Sequence, residues 1–367
     1  MTSQSLGRRI VHVLGLQYRL RRRWRRSTTG EREISRLRTV FYRSVWEEAA
    51  AAVGGSVQPL QGSLLEVRCP GVRLLVQKNV TSLDDPITVA MAMDKPLVSR
   101  LLARRGIPVP RHEVCRFDDV PRAWRFVSTV GRPCVVKPAK YGIGGFGITC
   151  GVRTRLQLAM AMAHARAVDT ELLIEEMIEG EVFRLLYLDG ELLDAVLRSP
   201  PSVVGDGVST IRQLVEKDNA DRLRHGTEAA QTMLKLDREL KSRLRDRGLR
   251  LTSVPPAGEA IRLKRVVNDN RREDNRPAMD DICPALATVG AEAAAAVGVR
   301  LAGVDVITRD PSLPLFGAGG AVIEVNSGPG LYYHYMKAET GVPVAAMILE
   351  RLMGSQSQTG DQKPLGR

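Results

Sequence analysis

The chain has little of what marks several common protein classes. It has only five cysteines in 367 residues and no C-x-x-C pair, which argues against a zinc site and against a disulfide framework. No apolar run approaches the roughly 18–20 residues that a membrane-spanning helix needs. The amino terminus lacks an uninterrupted apolar core and a small-residue cleavage site, so we expect no signal peptide. Together these absences predict a cytoplasmic protein.

Acidic residues are absent from residues 1–30, where arginines concentrate instead. The arginines of this segment are Arg8, Arg9, Arg19, Arg21, Arg22, Arg23, Arg25 and Arg26. One interpretation is an arm that contacts an anionic membrane surface or a nucleic acid. The other is a solvated helix, or one that clamps an acidic surface of this protein or of a second copy. A charge block alone rarely identifies a partner, so the sequence leaves both open and allows an oligomer.

Strand-like and helix-like segments alternate along the remaining chain without an internal repeat. The pattern predicts helices over 31–53, 210–219, 232–247 and 283–297, a strand over 261–266, a hairpin turn at Asp189-Gly190, and a hairpin joining 301–308 to 321–326. Asp94-Lys95-Pro96 predicts the start of a further helix, which Gly106 closes, and Gly298 is placed to stop the helix over 283–297. We predict a basic arm over 1–30, a small amino-terminal α/β domain over 31–92, a main domain over 93–353 with a lid subdomain at about 110–180, and a disordered tail over 354–367. Mixed strands and helices with antiparallel hairpins predict the α+β class.

A glycine-rich loop follows the strand-like residues 135–137. Gly142, Gly144 and Gly147 fit G-x-G-x-x-G, but residues 148–150 resemble a strand, whereas a dinucleotide-binding fold would open a helix there. A glycine loop between two strands can fold over a polyphosphate, because its backbone N–H groups reach the oxygens unhindered. Lys137 would supply the cation that those oxygens need. The alternative is a glycine-rich hairpin beside a surface lysine.

An acidic segment, IEEMIEGE over 174–181, ends the next apolar run. Such a strand end suits an adenosine hinge, in which backbone groups meet the adenine edge and a carboxylate meets the ribose hydroxyls. The alternative is a solvated acidic turn.

A third pattern places oxygen ligands on two strand-like segments. Glu324 and Asn326 are two residues apart, so they point to the same face of a strand, and Asp305 joins them if the two strands pair. Two carboxylates and an amide oxygen suit Mg²⁺, with Mn²⁺ as a substitute. An acid flanked by Val and Ile is also costly to bury unless a cation compensates it. The alternative is a buried ion-pair network.

The order of these motifs is more specific than any one of them. They read "VVKPAKYGIGGFGIT", "LLIEEMIEG", "VVGDGVSTIRQLVEKDN" and "GVDVITRD…GGAVIEVNSGPGLYYHY". In this order they resemble the ATP-grasp ligases, and within them the cyanophycin synthetase and bacterial glutathione synthetase type, over roughly residues 91–350. The resemblance implies an ATP-grasp fold, in which two α/β subdomains clasp ATP, over 93–353.

The resemblance also implies roles for individual residues. The implied ATP contacts are Lys95, Lys137, Gly144, Gly145, Phe146, Glu175, Glu176, Ile178, Glu181 and Arg184. The implied metal ligands are Asp305, Glu324 and Asn326, and the implied substrate loop contains Ser327, Gly328 and Gly330. Two departures stand out: Glu181 lies one position before the usual ribose acid, and residues 268–274 replace the N-x-S-x-G-G segment of related ligases. The ATP machinery therefore matches, and the acid or acceptor pocket differs.

The implied activity is that of an ATP-dependent carbon–nitrogen ligase. Phosphoryl transfer from Mg²⁺-ATP would turn a carboxylate into an acyl phosphate, which an amine attacks with release of phosphate. The substrates would be a small-molecule carboxylate and an amine. Arg198, Arg265 and Arg300 are the candidate catalytic arginines for the tetrahedral intermediate. Two alternatives stay open, namely an ATP-binding scaffold or regulator without catalysis, and an ATP-grasp kinase.

Overall fold

The computed structural model describes residues 29–140, 145–224, 232–335 and 341–359. The predicted basic arm up to residue 28 and the predicted tail from residue 360 lie outside the described residues. The helices described are α1 (Thr29–Ala52), α2 (Pro86–Ala92), α3 (Lys95–Arg104), α4 (Val120–Val130), α5 (Arg155–Arg166), α6 (Ile211–Arg224), α7 (Arg238–Asp246), α8 (Pro284–Val297), α9 (Tyr332–Tyr335) and α10 (Val344–Thr359). The strands described are β1 (Ser56–Gln61), β2 (Leu64–Cys69), β3 (Val72–Gln77), β4 (Val80–Thr81), β5 (His112–Arg116), β6 (Cys134–Pro138), β7 (Thr149–Val152), β8 (Glu171–Glu176), β9 (Glu181–Leu188), β10 (Glu191–Arg198), β11 (Ser202–Val204), β12 (Ala260–Arg262), β13 (Asn275–Pro277), β14 (Leu301–Thr308) and β15 (Ala321–Ser327).

The described strands form antiparallel sheets. They pair in the orders β1-β2-β3-β4, β5-β8-β6-β7, β11-β12 and β13-β10-β9-β14-β15. Helices pack against these sheets instead of alternating with parallel strands. The predicted α+β class is confirmed.

Local signals place several elements where the sequence predicts them. Asp94 caps α3 by accepting a hydrogen bond from the N–H of Leu97. Asp189 and Gly190 have φ values of 50° and 83°, as a two-residue turn between twisted strands requires. Gly298, with φ of 85°, ends α8 in the left-handed conformation that costs glycine little.

Two predicted elements are shorter in the structure than in the prediction. The helix predicted over 232–247 begins only at Arg238, because Asp237 caps it by accepting from the N–H of Leu240. The strand predicted over 261–266 ends at Arg262, because its partner β11 is itself only three residues long. After one more backbone hydrogen bond, from Leu263 to Pro201, the segment that follows Arg262 is held by the ion pairs of Lys264 with Asp237 and Asp269.

The amino-terminal sheet shares its apolar core with the rest of the chain. One cluster joins Trp46 of α1 and Leu74 of β3 to Leu186 of β9 and Ile348 of α10. α10 continues past this cluster to Thr359, so the first residues of the tail predicted to be disordered are helical. The predicted division at residue 92 therefore crosses a shared core, and the domain boundaries stay predictions.

The sheet β5-β8-β6-β7 has one apolar face, which α4 and α5 cover. Val136 and Ile174 lie on this face with Val127 of α4 and Leu158 of α5. Strand residues alternate in direction, so Lys137 and Glu175 point to the opposite face.

The sheet β13-β10-β9-β14-β15 is built in the same way. Phe183, Leu185, Val304 and Val306 lie on the face covered by α3 and α8. The residues between them on β9 and β14 point to the other face, so burial of the apolar face orients the charged side chains discussed next.

Candidate functional site

Three charged residues form a row across neighbouring strands of the sheet β13-β10-β9-β14-β15, which we call the central sheet. Asp305 of β14 pairs with Arg184 of β9 on one side and with Glu324 of β15 on the other. The Arg184 guanidinium binds both carboxylate oxygens of Asp305, with Nε–Oδ1 at 2.5 Å and Nη2–Oδ2 at 2.7 Å. Both side chains are buried. Burial lowers the pKa of Arg184, but the Asp305 carboxylate outweighs this effect and leaves the pKa raised.

The first residue of α3 extends this row. Lys95 Nζ lies 2.9 Å from Glu324 Oε1. Burial by itself raises the pKa of Glu324, but Lys95, Lys137 and Arg184 outweigh it and lower the pKa to about 2. Burial likewise lowers the pKa of Lys95, and the carboxylate of Glu324, followed by Glu175 and Asp305, reverses the shift and raises it. The cluster therefore holds Glu324 ionised at neutral pH.

The sheet β5-β8-β6-β7, which we call the lid sheet, contributes a second buried ion pair. Lys137 Nζ of β6 lies 2.7 Å from Glu175 Oε2 of β8. The charge of Lys137 also lowers the pKa of Glu324, and the charge of Glu175 raises the pKa of Lys95. The polar faces of the two sheets therefore meet, and the sequence motifs that lie far apart in the chain converge there.

The predicted metal ligands come together on this face. Asn326 lies opposite Gly303 and donates from Nδ2 to its carbonyl oxygen at 3.1 Å. Among the described residues, no group of three or more His, Cys, Asp or Glu side chains is placed to hold a metal ion. A divalent ion here would draw on the carboxylates of Asp305 and Glu324, the Asn326 amide oxygen and oxygens from outside the protein. The donor set fits a hard cation in kind, and Arg184 and Lys95 neutralise the carboxylates in this structure.

The hinge segment separates the two predicted glutamates. Glu175 faces Lys137, whereas Glu176 points the other way and binds the N–H of Arg111 at 3.2 Å and its Nε at 2.9 Å. The structure therefore does not bring Glu176 to the cluster, because adjacent residues of a strand point to opposite faces. Ile178 is half-buried, and Glu181 is exposed at the first position of β9.

The three candidate catalytic arginines lie in different places. Arg198 of β10 is on the polar face, with its guanidinium 4.1 Å from the centre of the Tyr333 ring, and Arg184 lies 5.8 Å from the same centre. Arg265 binds Asp246 at 2.5 Å and packs against Gly151 of the lid sheet. Arg300 binds Asp189 at 2.7 and 2.8 Å on the surface.

Arg300 is not brought to the cluster. It precedes Asp305 by five residues along an extended strand, so the two lie roughly 17 Å apart at about 3.3 Å per residue. The hairpin turn that contains Asp189 holds it at the opposite end of the sheet.

Of the predicted lid-loop residues, Gly144 lies outside the described residues. Gly145 has φ of 76°, and a Cβ at this position would collide with the Asn268 side chain, so only glycine fits. The Phe146 ring lies 4.5 Å below Lys235 Nζ. The loop therefore contacts residues on both sides of α7, namely Lys235 before it and Asn268 after it.

The predicted substrate loop lies against the amino-terminal sheet. Asn79 Nδ2 donates to the carbonyl oxygen of Gly328 at 2.5 Å, and Gly328 has φ of 61°. Ser327 ends β15, and Gly330 packs on the Tyr333 ring.

Glu239 is a half-buried acid beside the lid sheet that the sequence analysis did not select. Its Oε1 accepts from the N–H of Arg265 at 2.7 Å, and burial raises its pKa to about 7. Burial also raises the pKa of Cys150 to about 12, and the Glu239 charge adds to that shift. No sequence signal distinguishes Glu239 from the other acids of a charged helix.

Comparisons with known proteins find one matching family model, similar sequences and a similar fold. Residues 101–197 match the family model described as D-ala D-ala ligase C-terminus. The chain is 33% identical over 285 residues to a cyanophycin synthetase of Trichormus variabilis, a match that covers 77% of this chain and 31% of that protein. It is 30% identical over 282 residues to the glutathione biosynthesis bifunctional protein GshAB of Streptococcus agalactiae, covering 75% of this chain and 37% of that protein.

A solved structure shares the fold. The bifunctional glutathione synthetase from Pasteurella multocida superposes with a TM-score of 0.53 at 22% identity, covering 84% of this chain and 44% of that chain. The chain spans about a third of the length of the curated relatives that it matches. Across the described residues, no helix combines the length and apolarity needed to cross a bilayer.

Proposed function

We propose that this chain, which has the ATP-grasp fold and is related to carboxylate–amine ligases, activates a carboxylate with ATP and couples it to an amine. The observation that carries the proposal is the convergence of two ion pairs, Lys137–Glu175 and Lys95–Glu324, with the Arg184–Asp305 pair between two facing sheets. Such a concentration of cations and oxygen ligands suits a triphosphate with its divalent ion.

The nucleotide would lie between the polar faces of the two sheets. Lys95 and Lys137 would bind phosphate oxygens, with Gly145 and Phe146 of the lid loop above them. Glu175 and the backbone of Ile178 would meet the adenine, and Glu181 is the candidate acid of the hinge for the ribose. On ATP binding, Lys95 and Lys137 would exchange their present carboxylate partners for phosphate oxygens.

The chemistry has two steps. A carboxylate oxygen of the acid attacks the γ-phosphorus, the bond to the β–γ bridging oxygen breaks, and ADP leaves. The amine nitrogen then attacks the carbonyl carbon of the acyl phosphate, phosphate leaves, and the nitrogen loses a proton. Mg²⁺ or Mn²⁺ held by Asp305, Glu324 and Asn326 would neutralise phosphate charge. Lys95 and Arg184 would balance the negative charge that remains, and Ser327, Gly328 and Gly330 would border the acid.

Release of ADP by the purified full chain tests the proposal. The chain is incubated with ATP, Mg²⁺ and pooled carboxylates and amines, with hydroxylamine in a parallel reaction to trap an acyl phosphate as a hydroxamate. We expect ADP, the hydroxamate and an amide product. ADP with neither of the other products indicates a kinase, and ATP binding without turnover indicates a scaffold or regulator. Either result contradicts ligase activity.

Glu324→Gln is the matched variant for the same assay. It keeps the shape of the side chain but removes the charge that Lys95 and the divalent ion share, so we expect turnover to fall by about 10²–10³-fold. Glu216→Gln on the exposed face of α6 is the control and should retain full turnover. Equal turnover in both variants would refute the metal-ligand prediction. The cytoplasmic location, the role of the basic arm and the oligomeric state stay predictions from the sequence.

A further inference from the structure

Two buried arginines share the polar face of the central sheet but differ in their partners. Arg184 donates hydrogen bonds to both carboxylate oxygens of Asp305. Arg198 is only 4% exposed, and its one hydrogen bond goes from Nη2 to the carbonyl oxygen of Val267 at 3.3 Å. Within the described residues its Nε is buried without a hydrogen-bond partner, and no carboxylate forms an ion pair with it. A buried guanidinium without a counter-ion is costly, which indicates that an anion from outside the chain completes it.

The segment that contains Arg271 carries acids as well as arginines, and Asp274 accepts a hydrogen bond from the N–H of Arg271. Arg222 and Arg271 share one carboxylate, Asp218, at 2.8 and 3.1 Å, and each has a buried nitrogen without a hydrogen-bond partner. This segment adjoins Arg198, because Asn275 pairs with Arg198 in the sheet and binds the carbonyl oxygen of Arg271 at 2.7 Å. Arg222 and Arg271 therefore have a carboxylate partner, whereas Arg198 beside them has none among the described residues.

The geometry of Arg198 selects the kind of anion. The Tyr333 ring occupies one face of the guanidinium, so the planar edge at Nε, which is buried without a partner, is the edge left for a ligand that enters the site. A carboxylate matches that edge, since its two oxygens can accept parallel N–H bonds. β9 with Arg184 lies between β10 and β14, which puts Arg198 two strand spacings, about 10 Å, from the strand of Asp305.

We propose that the acid substrate is a dicarboxylate whose second carboxylate binds Arg198 while the first lies at the Asp305–Glu324 cluster. This inference rests on the proposed ligase function. It assigns Arg198 to substrate recognition instead of the tetrahedral intermediate, and it makes Arg198 the residue that distinguishes a dicarboxylate from its monoamide.

Steady-state ADP release with matched acids tests this assignment. The probes are succinate, glutarate and adipate, each compared with its monoamide, which has the same size and one charge less. The twenty standard amino acids, pooled, serve as amine acceptors. We expect the wild type to prefer at least one dicarboxylate over its monoamide by about 100-fold in kcat/KM, mostly through KM, because the amide leaves Arg198 unpaired.

Arg198→Gln should abolish that preference by raising KM for the dicarboxylate and leaving the monoamide unaffected. Arg198→Lys should retain part of it, and Arg43→Gln, a surface arginine of α1, is the control and should keep it in full. A second readout is the melting temperature, which the preferred dicarboxylate should raise in the wild type and not in Arg198→Gln. This readout does not depend on turnover.

The outcomes separate the two proposals. Equal turnover of dicarboxylates and monoamides by the wild type would overturn the inference and leave the ligase function standing. An equal loss on both acids in Arg198→Gln would also overturn it, since that result indicates a role at the reacting group. ADP release with no acid of any kind would overturn the ligase function itself.

Discussion

The two halves of the polar face of the central sheet handle charge in opposite ways. Toward β15, each cation has a carboxylate, with Arg184 on Asp305 and Lys95 on Glu324. Toward β13, Arg198 has no carboxylate among the described residues, and Arg222 and Arg271 share one. The first half carries Asp305 and Glu324, which we predict to hold the metal ion, and the second carries Arg198, which we propose to bind the substrate. On the proposed function, ATP would bind at the balanced cluster, and the substrate would supply the missing counter-ion of Arg198.

The largest effect is expected from Arg184→Met, which leaves Asp305 buried without its partner. Breaking a buried ion pair in this way costs about 3–5 kcal/mol of the free energy of unfolding. Urea unfolding measures it. The double variant Arg184→Met/Asp305→Leu should recover most of the loss, because no charge is then stranded. The matched change Arg198→Met should stay within about 1 kcal/mol of the wild type, since it removes an unpaired charge. Equal losses of unfolding free energy in Arg184→Met and Arg198→Met would contradict the difference between the two halves.

A smaller effect concerns the pH dependence of stability. Lys95, Lys137 and Arg184 hold the pKa of Glu324 at about 2, below its ordinary 4.5, so this carboxylate stabilises the fold above pH 4.5. The contribution is lost as pH falls from about 4.5 toward 2. In urea unfolding, the free energy of unfolding of the wild type should therefore exceed that of Glu324→Gln by about 2 kcal/mol at pH 6, after allowance for partial exposure. The difference should disappear near pH 2.

Glu239 gives the opposite sign in the same experiment. Burial raises its pKa to about 7, so the folded state loses stability as pH rises from 4.5 through 7. Glu239→Gln should gain stability relative to the wild type at pH 8 and show no gain at pH 4. Parallel profiles for the two variants would contradict the different surroundings of these acids.

The smallest effect is expected from Arg300→Gln. Its partner Asp189 is on the surface, where such pairs contribute about 0–1 kcal/mol. Because Arg300 lies at the far end of β14, ADP release should match the wild type. A large loss of turnover would support the role predicted from the sequence and contradict the position that the structure gives it.

Much of the site could be predicted because its elements depend on local signals. The two-residue spacing of Glu324 and Asn326 predicts a shared face in any strand, and the hairpin of β14 and β15 then adds Asp305. Asp94 and Gly298 mark helix ends by capping and by positive φ, whatever the helices pack against. These features need only neighbouring residues, so the pattern suffices.

Other predictions failed where the outcome depends on distant partners. Glu176 looks equivalent to Glu175 in the sequence, but β8 turns it toward Arg111. The strand expected over 261–266 is short because β11 offers only three residues to pair with. Glu239 was missed because its raised pKa comes from burial by residues that are distant in the sequence, and no neighbouring residue predicts that burial.

The sequence by itself determined which chemical groups this protein has and on which face of each strand they lie, since alternation and capping follow from backbone geometry. Only the tertiary structure decided how the charges pair: Arg184 with Asp305, Lys95 with Glu324, Arg300 with Asp189, and Arg198 with no carboxylate of the described residues. Pairing depends on strand order and register, which bring together residues more than 100 positions apart, and a difference of a few ångströms there separates a neutralised cation from a binding site.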